Sequence, residues 1–148
     1  MANKTILCYN DALSRNISKN MKGYINNIEE QTLQNENFRK VLFTGPKSQL
    51  VVMSLLPSEE IGMEVHEVDQ FVRIEEGEGK VILDGEESIV RDDFAIVIPA
   101  GTQHNVINTS SEKKMKLYTI YSPAEHPDGT IHKDKAEAEA YEKQKHGH

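Results

Sequence analysis

From Phe38 to Tyr121 the apolar residues come in short runs, many of them alternating with polar ones, rather than at helical spacing. Such runs, bounded by turn residues, predict strands over about 38–44, 49–56, 61–67, 70–76, 79–84, 87–91, 94–98, 104–108 and 115–121. Corners fall at Pro57-Ser58, Gly77-Glu78-Gly79 and Pro99-Ala100-Gly101. Asp84-Gly85, directly after Val81-Ile82-Leu83, is the two-residue signal of a hairpin whose turn needs positive φ at both positions. Outside this region the pattern changes. Residues 1–21 are polar and aperiodic apart from Ile6 to Cys8 and read as an N-terminal arm. Asn27 to Asn35 predicts a short helix, and the alanine-, glutamate- and lysine-rich stretch from Lys133 to Lys145 a helical tail. No internal repeat is present. The division expected is an arm over 1–21, one all-β barrel or sandwich over 22–123, and a loop with helical tail over 124–148.

A chain of 148 residues suits one packed domain. With 24 acidic residues against 17 Lys plus Arg, a net charge of -7 and no basic block, nucleic acid is not an expected partner. Cys8 is the only cysteine, which excludes an internal disulfide framework and a cysteine-rich zinc site and fits a reducing cytosol. The longest apolar stretches, such as Leu50 to Leu56, are strand-sized, and the N-terminus lacks a signal-peptide pattern, so the expectation is a cytoplasmic protein with no membrane span.

Candidate chemistry concentrates at Glu64, His66, Gln70 and His104. In extended chain, side chains two positions apart share a face, so Glu64 and His66 can point into one cavity while Val65 points away. Two imidazoles, a carboxylate and an amide oxygen could then converge on one divalent ion; zinc, manganese, iron and nickel all accept such donors. His126 and His132 flank Pro127-Asp128-Gly129 and are candidates for substrate contact or proton transfer at a barrel mouth; equally, that stretch can be a polar loop tying down the tail. Arg73 has the opposite parity to Gln70 and is expected at the surface, and Tyr118 and Tyr121 in packing or at the rim.

The spacing over about residues 57–108 resembles the two motifs of the cupin family. The first motif's ligand pair falls on Glu64 and His66, its third ligand on Gln70 and its closing glycine on Gly77; the second runs Pro99-Ala100-Gly101-Thr102-Gln103-His104 to Asn108. The resemblance implies a single-domain double-stranded β-helix, or jelly-roll barrel, with Glu64, His66, Gln70 and His104 as metal ligands. The sequence departs from the family at Ser58 and Asp93, where each motif usually begins with glycine, at Glu64 in place of the common histidine, and at Gln70 in place of the common glutamate. The wider pattern, Glu60 to His66 with Asp69-Gln70-Phe71, and Tyr118 to Pro123 followed by His126, Asp128-Gly129 and His132, is similar to small bacterial cupins labelled mannose-6-phosphate isomerase-like. Type I phosphomannose isomerases are similar in holding zinc with two His, one Gln and one Glu. Their helical domain is absent from this pattern, and no Lys or Arg cluster for a sugar phosphate is visible along the sequence.

The leading expectation is therefore a metal-dependent isomerase-like activity on a sugar or sugar phosphate, with the metal stabilising a cis-enediolate while a nearby base moves a proton. A divalent ion held by two imidazoles, one amide and one carboxylate keeps about one net positive charge, which favours a small polar or anionic metabolite. A non-haem Fe(II) dioxygenase is the alternative, because His66, His104 and Glu64 alone make a two-histidine, one-carboxylate set; a non-catalytic small-molecule-binding cupin is the third. The family resemblance also implies a homodimer, for which the apolar strand Leu50 to Leu56 offers a face.

Overall fold

The computed structural model describes residues 17, 18 and 22–146; Cys8, His148 and the expected arm apart from Ile17 and Ser18 lie outside them. The first element among the described residues is a short helix α1 (Ile28–Gln34). Asn27 caps it, its side-chain oxygen accepting the Glu30 N–H at 3.0 Å. Among the described residues nine strands follow: β1 (Arg39–Thr44), β2 (Gln49–Leu55), β3 (Asp69–Glu76), β4 (Glu78–Leu83), β5 (Glu86–Arg91), β6 (Ala95–Ile98), β7 (His104–Asn108), β8 (Met115–Ser122) and β9 (Ile131–His132). Helix α2 (Lys135–His146) ends the described chain.

The strands form an antiparallel six-stranded sheet in the order β6-β3-β8-β2-β1-β9 and an antiparallel three-stranded sheet in the order β5-β4-β7. This is the jelly-roll arrangement that the cupin resemblance implies, and it satisfies the all-β barrel or sandwich predicted from the strand pattern and turns. Alternate residues face inward: Val51, Met53 and Leu55 of β2 meet Val72 and Ile74 of β3 and Leu117 and Tyr121 of β8, and Val81, Val90 and Val106 close the core from the smaller sheet. The apolar strand expected to offer a dimer face is thus largely buried within the chain. Its outward Val52 is 1% exposed, on the side where α1 packs.

The expected strand over 61–67 is not one. The segment between β2 and β3 crosses β7 and touches it through two isolated bridges, Glu60 to Ile107 and Glu64 to His104. Between those bridges four steps of chain oppose three, so one residue is extra. Gly62 takes up that excess at φ 112, and its N–H leaves the ladder to bond Asn105 Oδ1 at 2.9 Å. Periodicity alone does not reveal such a bulge. The short β9, which pairs with β1, was also not foreseen.

The Asp84-Gly85 hairpin forms as predicted, with φ of 47 and 84. Ser58 and Asp93, standing where the family usually has glycine, keep the glycine conformation at φ 64 and 73. The departures change the residue and not the turn.

Candidate metal centre

Glu64 and His66 arrive on the crossing segment, while His104 opens β7 directly opposite Glu64. The backbones of Glu64 and His104 exchange hydrogen bonds in both directions, at 2.8 and 2.9 Å. The Gly101 N–H donates to the His66 carbonyl at 2.8 Å, so the Pro99 to Gly101 corner pins the far end of the segment. One donor atom from each of Glu64, His66 and His104 then lies within 4.8 Å of the others. Glu64 Oε2 and His66 Nε2 are 2.8 Å apart. Neighbouring ligands about 2.1 Å from one ion stand roughly 3 Å apart, so this pair is at ligand spacing.

The outer nitrogen of each imidazole is occupied. His104 Nδ1 donates to the Thr102 carbonyl at 2.8 Å, which frees Nε2 as an acceptor for an ion. His66 Nδ1 faces Gln70 Oε1 at 3.3 Å, and the same amide donates from Nε2 to Thr119 Oγ1 at 3.0 Å. Gln70 is therefore brought to the site, buried, but its amide is turned to the ring of His66 and to Thr119. The donor chemistry fits a divalent ion: two imidazole nitrogens with their outer nitrogens tied, and one carboxylate beside them.

Burial pulls the His66 imidazole down, yet the Glu64 carboxylate on Nε2, with Glu125 and the Gln70 amide, outweighs it and holds the ring above the usual histidine value. Glu125 is a site residue that sequence reasoning missed. Its Oε1 is 3.9 Å from His66 Nε2, and burial lifts its carboxyl above the ordinary range against the pull of His66 and Lys145. Tyr121 lies fully buried beside the site, its ring centroid 5.8 Å from that of His66 and 5.1 Å from that of His126. Burial raises its phenol far above the usual range.

His126 and His132 are both buried. The backbone of His126 is held by Gln49: its N–H donates to Gln49 Oε1 at 3.0 Å and its carbonyl accepts from Gln49 Nε2 at 2.6 Å. Neither ring joins the three donors above. Arg73 lies outside the site as expected, pairing with Asp93 at 3.0 Å.

Two antiparallel sheets folded around a carboxylate and two convergent imidazoles define a jelly-roll protein with a candidate divalent-metal site. The chain belongs to the cupin superfamily, and the cupin domain model matches residues 51–121. It is 48% identical over 128 residues to the uncharacterized protein YrkC of Bacillus subtilis (strain 168), covering 82% of this chain and 68% of that one. An uncharacterized protein of Acanthamoeba polyphaga mimivirus is 46% identical over 120 residues, covering 78% of this chain and 74% of its own. The crystal structure of BH2720 from Bacillus halodurans is similar at a TM-score of 0.80 and 44% identity, covering 84% of this chain and 98% of that one. The names of these relatives state no reaction. No helix among the described residues is long and apolar enough to cross a membrane.

Proposed function

We propose that this cupin is a divalent-metal-dependent enzyme that acts on a small anionic metabolite by acid–base chemistry, isomerase-like, on a sugar or sugar phosphate. Glu125 carries the reading. A half-buried carboxyl beside the Glu64, His66 and His104 group, with its proton affinity raised by burial, can both accept and return a proton. Without it Glu64 would have to serve as base and ligand at once.

Glu64, His66 and His104 would hold the ion, and the Gln70 amide and Thr102 carbonyl keep the two rings oriented. A divalent ion bound there supplies a Lewis acid for a carbonyl and its neighbouring hydroxyl. Glu125 then moves a proton between adjacent carbons of the ligand. Tyr121 stays a phenol and is not a competing base.

The test is proton exchange. Protein loaded in turn with zinc, manganese and iron(II) is incubated with mannose 6-phosphate or fructose 6-phosphate in D₂O. Deuterium is expected at the carbon beside the carbonyl, and Glu125→Gln should slow its entry by about a hundredfold or more with metal content unchanged. Exchange that is as fast in Glu125→Gln as in wild type would remove Glu125 from the reaction.

The orientation of Gln70 favours a second reading. With the amide turned to Thr119 and His66, the remaining set is two histidines and one carboxylate with open positions, the set used in non-haem Fe(II) oxygen chemistry. Oxygen uptake with iron and none with zinc supports it. Ligand binding without turnover under every metal would instead leave a binding cupin.

A further inference from the structure

Beyond the three donors, a second polar cluster lies inward from α2. Arg39 of β1 is only 4% exposed, and no described carboxylate pairs with it. Its Nη1 meets His132 Nδ1 at 3.3 Å, and its Nε is buried with no partner among the described residues. His126, 7% exposed, has a buried Nε2 that also finds no partner among the described residues. A buried guanidinium without an anion is costly, and so is a buried ring nitrogen without a hydrogen bond. Both costs vanish together if an anion sits between them and the centre.

The cluster adjoins the metal-ligand group, because the Tyr121 ring contacts both that of His126 and that of His66. Two lasting cations, Arg39 and Lys145, act on the His126 ring. After burial, the groups that hold the His126 ring down at about 2 are Arg39, His66, His132 and Lys145. In a chain of net charge -7 these two cations reach the His126 ring from β1 and α2. Glu125 and Glu142 oppose them from the same side, with Glu137 near His132. A cleft of about 340 Å³, walled by Gly45, Pro123, Tyr141 and Lys145, opens onto Glu125 and His126. That volume suits a small metabolite.

We infer that this cluster is an anion subsite: the phosphate or carboxylate end of a small metabolite enters by the cleft and is held by Arg39, His126 and Lys145, while its other end reaches Glu64, His66 and His104. The last clause rests on the metal-centre reading; the subsite does not. Arg39 donates from its guanidinium, neutral His126 donates from Nε2, and Lys145 supplies a charge at the mouth. The missing Lys and Arg cluster of the sequence is thus assembled by topology.

The experiment is a titration of zinc-treated wild-type protein with inorganic phosphate and, separately, acetate. It follows histidine side-chain ¹⁵N resonances and binding heat, with metal content measured on the same samples. One anion per chain and a shifted His126 signal are expected. Response to phosphate alone assigns a phosphorylated ligand, and response to acetate alone a carboxylate. Arg39→Met should weaken the anion by about tenfold or more, with metal content unchanged and a melting temperature no lower than wild type. No His126 response to either anion, or an Arg39→Met protein that binds as tightly as wild type, overturns the subsite. If Arg39→Met does not fold, Lys145→Ala on the helix surface takes its place: weaker anion binding supports the subsite and unchanged binding overturns it. Anion binding in protein that takes no zinc keeps the subsite and removes the metal reading. Stoichiometric zinc with no anion response does the reverse.

Discussion

At the scale of single residues, Gln70 separates holding an ion from holding the ring that holds it. Its oxygen is 3.3 Å from His66 Nδ1 and its amide nitrogen 3.0 Å from Thr119 Oγ1, so both ends are engaged away from the shared donors. Loss of such an orienting partner typically lowers metal affinity about 10- to 100-fold. We therefore expect Gln70→Ala to retain zinc at one per chain with affinity reduced in that range, and His104→Ala to lose stoichiometric zinc, both measured by chelator competition. Equal losses in the two variants would make Gln70 a ligand. His126 supplies a pH dependence. Its folded value is depressed to about 2 while the unfolded chain has the ordinary 6.5. Between those values the unfolded state binds the extra proton, so stability present above pH 6.5 is lost as pH falls. The slope approaches about 1.4 kcal/mol per pH unit from this one group. Urea melts at pH 7 and pH 5 should show a larger loss for wild type than for His126→Gln. His66, raised by Glu64, contributes in the opposite sense and is common to both proteins.

Among the elements, the crossing segment decides whether the donors meet. The Glu64 and His66 pair was legible, because two-residue spacing in extended chain survives even where no regular strand forms. So were the hairpin at Asp84-Gly85 and most strands, since each is written in local alternation and turn chemistry. The bulge at Gly62 was not, because it exists only relative to β7, a partner some forty residues away. Arg39 and Glu125 escaped for the same reason: one reads as an ordinary strand residue and the other as one acid among 24, until β1 and the loop after β8 bring them beside the histidines. Gly62 makes the segment testable. An alanine there keeps open space around its Cβ but must hold φ near 112, which L side chains rarely adopt. Gly62→Ala should cost about 1–2 kcal/mol in a denaturant melt and weaken zinc binding by shifting Glu64 against His104. A variant with lowered stability and wild-type zinc affinity would show that the bulge shapes the turn and not the centre.

For the molecule as a whole, the donors come from two segments distant in sequence that meet only in the folded chain. Glu64 and His66 precede β3 of the larger sheet, and His104 begins β7 of the smaller one. Unfolding separates them, so metal binding is linked to the entire fold rather than to a loop. At a free zinc concentration a hundred times Kd the linkage stabilises by about 2.7 kcal/mol. For a chain of this size that corresponds to a rise in melting temperature of roughly 5–11 °C. Chelator should return the transition to its starting point, and His66→Ala should melt at one temperature with or without zinc. Phosphate added to the zinc-treated wild type should raise the transition further if the Arg39 cluster and the centre grip the two ends of one ligand. A zinc response that persists undiminished in His66→Ala would mean that the ion stabilises the fold from a different site, and the Glu64, His66 and His104 group would then lose its claim to be the metal centre.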